Sequence, residues 1–182
     1  MHYTLCDQFV DLTQNAIEAD SSLVQIDFYQ TDSILELCIT DNGKGMDEEQ
    51  LQKARDPFYT DGKKHPGRKI GLGIPFLIQT ASTTNGKWEI TSKKGSGTKV
   101  FCSFDLTNID LPPVGDIPGF FRQVISMDGE YELVINRKLV SADKNLDYQI
   151  SRKELISALG DLSEASFLLL LKEYLEGLEL PD

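Results

Sequence analysis

The sequence has few cysteines and few positive charges, and each shortage excludes a class of protein. Cys6, Cys38 and Cys102 are far apart and show no C-x-x-C spacing, so they predict neither a disulfide framework nor a zinc site. Lys and Arg number 18 against 29 Asp and Glu, which gives a formal net charge of -11. Because nonspecific nucleic-acid affinity depends on clustered basic residues, this charge argues against a nucleic-acid partner.

Long apolar runs are also missing. The longest, residues 167–171, is far too short to span a bilayer, and residues 1–7 contain neither a basic leader nor an apolar run. We therefore expect a soluble cytoplasmic protein with its cysteines as core thiols. With 182 residues, the chain can form one full domain and a smaller second unit.

A segment rich in proline and glycine divides the chain. Residues 111–119 contain three prolines and two glycines, which forbid a continuous helix or a central strand. We expect a linker there, between a first domain over residues 1–110 and a small C-terminal α+β unit over residues 120–182.

Apolar periodicity predicts a mixture of helices and strands before the linker. The predicted elements are helices over 4–19, 47–54 and 74–83, and strands over 23–29, 34–40, 87–92 and 98–105. This order predicts an α+β fold with antiparallel pairing of adjacent strands.

After the linker, Asp128-Gly129 lies between two apolar runs, 123–127 and 130–136, and predicts the turn of a β-hairpin. A strand over 146–150 and two closing helices follow, the first beginning with a capping box from Ser151 to Glu154. The last helix is apolar on almost every side, so we expect it to be buried. Packing on the rest of the chain is the favoured interpretation, and a homodimer seam is the alternative.

The hexapeptide Asp41-Asn42-Gly43-Lys44-Gly45-Met46 follows an apolar strand. A carboxylate beside two glycines at a strand end suits a flat ligand that bears an amine, such as adenine. The same residues also suggest a calcium loop. That interpretation fails, because Met46 replaces the invariant glycine of an EF-hand and Gln52 replaces its bidentate glutamate.

The first predicted helix carries a polar stripe on one face. Its members are Asp7, Asp11, Asn15 and Glu18. A solvated surface is the ordinary explanation of such a stripe, but Asn is uncommon in the middle of a helix, which favours a ligand-facing role for Asn15. An amide oxygen is a suitable ligand for Mg²⁺, which usually shares its site with nucleotide phosphates.

The loop over residues 55–73 is locally basic and rich in glycine, and it leads into a helix with Pro75 in its first turn. Its basic residues are Lys63, Lys64, His65, Arg68 and Lys69. Positive charge followed by a helix N-terminus attracts phosphate, although an ordinary surface loop would look similar. A Walker A loop is excluded because Arg68-Lys69 stands where Lys and Ser or Thr are required. A Rossmann turn is excluded because Phe76 replaces the third glycine.

Four segments in order resemble the GHKL ATPases, a superfamily of gyrase, the ninety-kilodalton heat-shock chaperone, histidine kinases and MutL. They are residues 9–19, residues 41–46, Gly71-Leu72-Gly73 and Gly95-Ser96-Gly97-Thr98. Together they span residues 4–105, and Asp56-Pro57-Phe58-Tyr59-Thr60 is most similar to the sensor histidine kinase branch. The resemblance implies a Bergerat-type two-layer α/β sandwich, with helices on one face of a mixed sheet.

The resemblance also implies an ATP·Mg²⁺ site. Asp41 would accept the adenine amino group with support from Thr98, Gly43 and Gly45 would let the base approach, and Asn15 would ligate Mg²⁺. The phosphates would be held by Gly71-Leu72-Gly73 and by a basic lid. The candidates in that lid are Lys63, Lys64 and Arg68.

Two departures from the family pattern limit the implied reaction. Asp11 stands where hydrolysing members carry a glutamate general base, and it is one methylene shorter, so nucleotide binding is better supported than rapid hydrolysis. A sensor kinase also needs an upstream helix with a phosphoacceptor histidine, whereas the only histidines are His2 and His65. We therefore do not expect a complete sensor kinase.

The leading hypothesis is a stand-alone protein kinase, similar to the anti-sigma serine kinases, or a slow ATPase switch, with a protein partner at the C-terminal unit. A nucleotide-sensing module without catalysis is the main alternative. A DNA-repair ATPase similar to MutL is a third hypothesis, which the acidic charge disfavours.

Overall fold

The computed structural model describes residues 4–56, 73–160, 162 and 164–180. Its helices are α1 (Leu5–Ile17), α2 (Glu48–Arg55), α3 (Gly73–Thr83), α4 (Ile117–Ile125), α5 (Arg152–Leu159) and α6 (Ala165–Leu178). Its strands are β1 (Leu23–Thr31), β2 (Ile34–Asp41), β3 (Lys87–Lys93), β4 (Gly97–Asp105), β5 (Glu132–Val140) and β6 (Asn145–Ser151). The predicted α+β class is confirmed, and so are all seven elements that were predicted before the linker.

The six strands form one mixed sheet in the order β3-β4-β2-β1-β5-β6. Neighbouring strands are antiparallel except for β1 and β5, which are parallel, with Leu23 opposite Glu132 and Thr31 opposite Val140. The strands after the linker therefore extend the sheet of the first hundred residues. The division at 111–119 is a feature of the sequence, whereas in space both parts of the chain share one sheet.

One face of the sheet is buried under the helices. In β1, Val24, Ile26 and Phe28 are buried, while the residues between them are partly exposed. This alternation follows from the two-residue period of a strand. Phe9 of α1 meets the Phe28 ring edge-on, with ring centroids 6.0 Å apart, and Phe120 of α4 lies 6.0 Å from Phe9. This aromatic cluster joins α1, α4 and the centre of the sheet.

The predicted hairpin at Asp128-Gly129 is wrong, because most of its first strand belongs to α4. Asp116 caps this helix by accepting the Gly119 N–H at 2.9 Å, and Pro118 occupies its first turn. Its apolar residues Phe120, Phe121, Val124 and Ile125 are buried. A hairpin is nevertheless present further along, where β5 pairs with β6.

The linker is bound to the start of α1. Leu5 and Cys6 donate their backbone N–H groups to the carbonyl oxygens of Pro113 and Val114, each at 2.9 Å. The first N–H groups of a helix have no partners within the helix, so the linker satisfies two of them.

The last helix is buried on one stripe only. Phe167, Leu171 and Leu175 face the core, as expected, but Leu169 is 57% exposed and Leu170 is 45% exposed. The expectation of a fully buried helix is therefore wrong for the opposite side of α6. No helix in the described ranges is long and apolar enough to cross a bilayer.

A buried arginine fastens the end of α6 to the sheet. Arg137 of β5 is 1% exposed, and its Nε donates to Glu179 Oε1 at 2.9 Å. Its Nη2 donates to Gln30 Oε1 of β1 at 2.9 Å, and its guanidinium lies 4.8 Å from the centre of the Phe28 ring. The Tyr148 hydroxyl of β6 donates to the same Glu179 oxygen at 2.6 Å. One side chain thus connects β1, β5 and the C-terminal end of α6.

We expect Arg137→Met to lower the free energy of unfolding by about 3 kcal/mol, the lower end of the cost of breaking a buried ion pair. The variant leaves the mostly buried Glu179 carboxylate with Lys144, at 3.9 Å, as its remaining ion partner. Urea unfolding followed by circular dichroism measures this change. The matched control is Lys138→Met, at the residue next to Arg137 on β5; it removes an exposed ion pair with Asp147 of β6 and should cost less than about 1 kcal/mol. Equal losses of stability for the two variants would contradict a special role for the buried Arg137–Glu179 pair. The double variant Arg137→Met/Glu179→Met should recover much of the stability that Arg137→Met loses.

Candidate functional site

Asp41 ends strand β2 with its carboxylate facing the helices. It is 7% exposed, and its Oδ1 accepts the Gly43 N–H at 2.8 Å. The Ser21 hydroxyl lies 3.2 Å from the same oxygen and 2.6 Å from the Ala16 carbonyl oxygen. The described residues make no hydrogen bond to Asp41 Oδ2, so the second oxygen can accept a donor from a ligand.

Thr98 lies directly opposite Asp41, on the neighbouring strand β4. Its Oγ1 is 2.8 Å from Ser92 Oγ of β3, which accepts the Met46 N–H at 2.8 Å. Ser92 of β3 therefore connects strand β4 with Met46 in the segment after Asp41. The register brings together Asp41 and Thr98, the two residues expected at adenine.

Sequence reasoning missed Ser21 and Ser92. Ser92 could have been found from the register of the β3–β4 hairpin, in which it is the direct partner of Thr98. No comparable local signal points to Ser21, because it reaches Asp41 from the connection between α1 and β1.

The glycines of the hexapeptide are required by the chain itself. A Cβ atom on Gly43 would lie 2.5 Å from the Ala19 carbonyl oxygen, and one on Gly45 would overlap the Lys93 carbonyl group. Gly45 also has φ +59, in the left-handed region that favours glycine. These contacts explain both glycines without a ligand, so their role in admitting adenine stays a prediction.

The start of α3 packs against the polar stripe of α1. A Cβ atom on Gly73 would lie 3.4 Å from Asp11 Cβ and 3.5 Å from Asn15 Nδ2. Asp11 is half-buried and Asn15 is exposed, so the amide lies at the surface beside the N-terminus of a helix of 11 residues. Helix N-termini favour anions, which makes this corner suitable for phosphate.

The remaining predicted phosphate contacts lie outside the described residues. They are Lys63, Lys64, Arg68, Gly71 and Leu72. Their role in holding phosphate stays a prediction.

Two of the cysteines belong to the core. Burial, together with the nearby carboxylates of Asp116 and Asp7, raises the pKa of the Cys6 thiol to about 12. Burial also raises the pKa of the Cys102 thiol far above its ordinary range. Both thiols are therefore neutral at physiological pH and contribute packing rather than nucleophilic chemistry.

Comparisons with known proteins match the part of the chain that contains this site. The family model described as histidine kinase-, DNA gyrase B-, and HSP90-like ATPase matches residues 5–108. Sporulation kinase C of Bacillus subtilis (strain 168) is 30% identical over 92 residues, which are 50% of this chain and 21% of that protein. Sensor protein DegM of Bacillus sp. (strain B21-2) is 32% identical over 101 residues, which are 53% of this chain and 26% of that protein.

Among solved structures, the mycobacterial sensor histidine kinase MprB is 19% identical, with a TM-score of 0.40 over 54% of this chain and 69% of that one. The chain spans about a quarter or less of the two curated relatives. The family match covers α1 to β4 and ends before α4. Since residues 5–108 are 104 of the 182 residues, the chain belongs to the histidine kinase-, DNA gyrase B- and HSP90-like ATPase family.

Proposed function

We propose that this protein binds ATP with Mg²⁺ between α1, residues 41–46 and the start of α3. It uses the nucleotide to phosphorylate a protein substrate, or hydrolyses it slowly as a regulatory switch. The observation that carries the proposal is the Asp41 carboxylate, which is buried opposite Thr98 and keeps one oxygen for a ligand. Membership in an ATPase family supports adenine as the group that donates to this oxygen.

Asn15 fits the Mg²⁺ position. Its amide is exposed beside Gly73 on the same side of α1 as Asp11. Mg²⁺ takes oxygen ligands and usually keeps several waters, so one protein amide together with nucleotide phosphates is a suitable set. When bound, the ion would offset the negative charge of the phosphates.

Slow chemistry is favoured by Asp11. It is half-buried next to Gly73, where a general base would orient the attacking group, but its side chain is shorter than glutamate. The matched relatives are named as a kinase and a sensor protein, which supports phosphoryl transfer to a protein. The short base also supports the alternative in which the chain only senses ATP and regulates a partner without catalysis.

Asp41→Asn should weaken ATP binding by at least about tenfold. The change replaces an acceptor oxygen with a donor that faces the adenine amine, and a hydrogen bond to a charged group contributes roughly 1.5–3 kcal/mol. Isothermal titration calorimetry measures the affinity. Asp20→Asn makes the same chemical change at an exposed carboxylate 4.0 Å from Lys44 and should leave affinity unchanged. Unaltered affinity in a folded Asp41→Asn protein would exclude Asp41 as the adenine contact.

Asn15→Ala should remove the difference between ATP affinities measured with Mg²⁺ and with a chelator, because it deletes the proposed ligand oxygen. The control is Gln14→Ala, the neighbouring exposed amide, which donates to Glu18 at 2.7 Å and should retain that difference. If both variants respond to Mg²⁺ as the wild type does, Asn15 is not the metal ligand.

Incubation with ATP labelled at the γ-phosphate should release labelled phosphate slowly or label a protein in an extract of the source cells. The Asp41→Asn protein is the control and, at an ATP concentration near the wild-type dissociation constant, should produce much less of either. If the wild type binds ATP but produces no phosphate and no labelled protein, the sensing alternative replaces the enzymatic one.

A further inference from the structure

The two edges of the sheet differ in their protection against further strands. Strand β3 carries the charged residues Lys87, Glu89 and Lys93. Arg55 of α2 also donates to the Ile90 carbonyl oxygen of β3 at 2.7 Å. Charges and capped backbone groups are the means by which natural sheets prevent pairing at an edge. The β3 edge is therefore poorly suited to binding another strand.

The β6 edge has fewer of these protections. Its one charged residue, Asp147, forms an ion pair with Lys138 of β5 at 3.2 Å, and the strand contains no proline. The backbone of residues 145–150 makes hydrogen bonds to β5 and to no other described residue. In an antiparallel pair, alternate backbone groups point away from the partner strand, so β6 presents a row of free donors and acceptors.

An apolar groove lies beside this edge, between β6, α5 and α6. Its volume is about 230 Å³, and it is lined mainly by the apolar residues Ile150, Leu155, Ala158, Leu159 and Tyr174, with the acidic residue Glu154 also in the lining. Sites for small ligands usually measure roughly 300–1,000 Å³. The groove therefore suits one large apolar side chain better than a cofactor.

The surface around the groove is apolar and acidic. Leu170 and Tyr174 of α6 are 45% and 43% exposed and widen the apolar area. Among the described residues from 145 to 180, the exposed acidic residues are Asp147, Glu154, Glu164, Glu173 and Glu176, and the exposed basic residues are Lys153 and Lys172. Asp147 is paired with Lys138 of β5 and Glu176 with Lys172, which leaves Glu154, Glu164 and Glu173 against Lys153. This excess of negative charge favours a basic partner and opposes a second copy of a chain with net charge -11.

We propose that β6 is a docking edge at which an extended segment of a partner protein, with apolar residues alternating with Lys or Arg, adds a seventh strand to the sheet. Backbone hydrogen bonds to residues 145–150 supply affinity, and one apolar side chain in the groove supplies specificity. The basic residues meet the acidic surroundings. The proposal does not depend on the nucleotide, because Asp41 lies on β2, three places away in the sheet.

A library of random octapeptides displayed on phage, selected on the full chain, tests this edge without assuming a sequence. The counter-selection uses Ala158→Glu, which places a charge in the groove. We expect enriched peptides to alternate apolar residues with Lys or Arg. Failure to enrich any peptide over the counter-selection, or enrichment of sequences without that pattern, would overturn the proposal.

Fluorescence anisotropy with the best enriched peptide then locates its site. Ala158→Glu should weaken binding by at least about tenfold, while Ser157→Glu, which adds the same charge one residue away on α5, should stay within about twofold of the wild type. Added negative charge attracts a basic peptide, so a loss at residue 158 must come from the groove. Similar affinities for the two variants would overturn the site.

Three further experiments test the interpretation. Tyr174→Glu blocks the groove from α6 and replaces Ala158→Glu if that variant fails to fold by circular dichroism. An extended peptide has two hydrogen-bonding edges, and only one of them can pair with β6. Methylation of alternate peptide nitrogens on that edge should abolish binding. If the peptide still binds when either edge is methylated, strand addition is excluded. A wild-type dimer in sedimentation that Ala158→Glu converts to a monomer would assign the edge to a second copy and overturn the proposed partner.

Discussion

The parallel pairing of β1 with β5 is the constraint on which the rest of the structure depends. It places the second part of the chain in the same sheet as the first, with Val24 opposite Leu133 and Phe28 opposite Arg137. Parallel strands need a long crossover, and here the chain returns through α4, whose Phe120 and Phe121 cover β1. The buried Arg137 network, in which one side chain of β5 bonds to Gln30 of β1 and to Glu179, follows from this pairing.

The candidate nucleotide site lies on the other side of β1 from β5, and it is built on antiparallel pairing. Strand β2 ends at Asp41, and the β2–β4 register sets Thr98 against it. Ser21 and Ser92 then fix the carboxylate and the segment after it from two directions. Side chains held on strand ends have little freedom, which would suit the binding of a flat base under the proposed function.

Much of this architecture was predictable where the signal is local. The elements before residue 106 follow apolar periodicity and caps such as Thr4 and Asp47, so their bounds agree with the sequence to within a few residues. The prediction that Asp41 and Thr98 contact adenine followed from the family resemblance. The β2–β4 register places these two residues opposite each other.

The failures arise where local signals conflict or where contacts span long distances. Asp116 and Pro118 are typical of a helix start, but they lie in a proline-rich segment that resembles a linker. The β-branched residues near the end of α4 are typical of a strand, so they favoured the wrong element. The pairing of β5 with β1 joins residues about a hundred positions apart, as in the 2.7 Å bond from Asn136 Nδ2 to Asp27 Oδ1. No periodicity within either strand encodes that choice of partner.

This separation has a consequence for how the protein is made. As a ribosome synthesises the chain, the β1–β2 and β3–β4 hairpins can form from neighbouring segments, but the second side of β1 has to wait until β5 emerges. During that interval β1 is an open edge with Val24, Ile26 and Phe28 on one face, which is the kind of surface that chaperones protect and that aggregates incorporate. Completion of the fold is therefore tied to synthesis of the region beyond the family match.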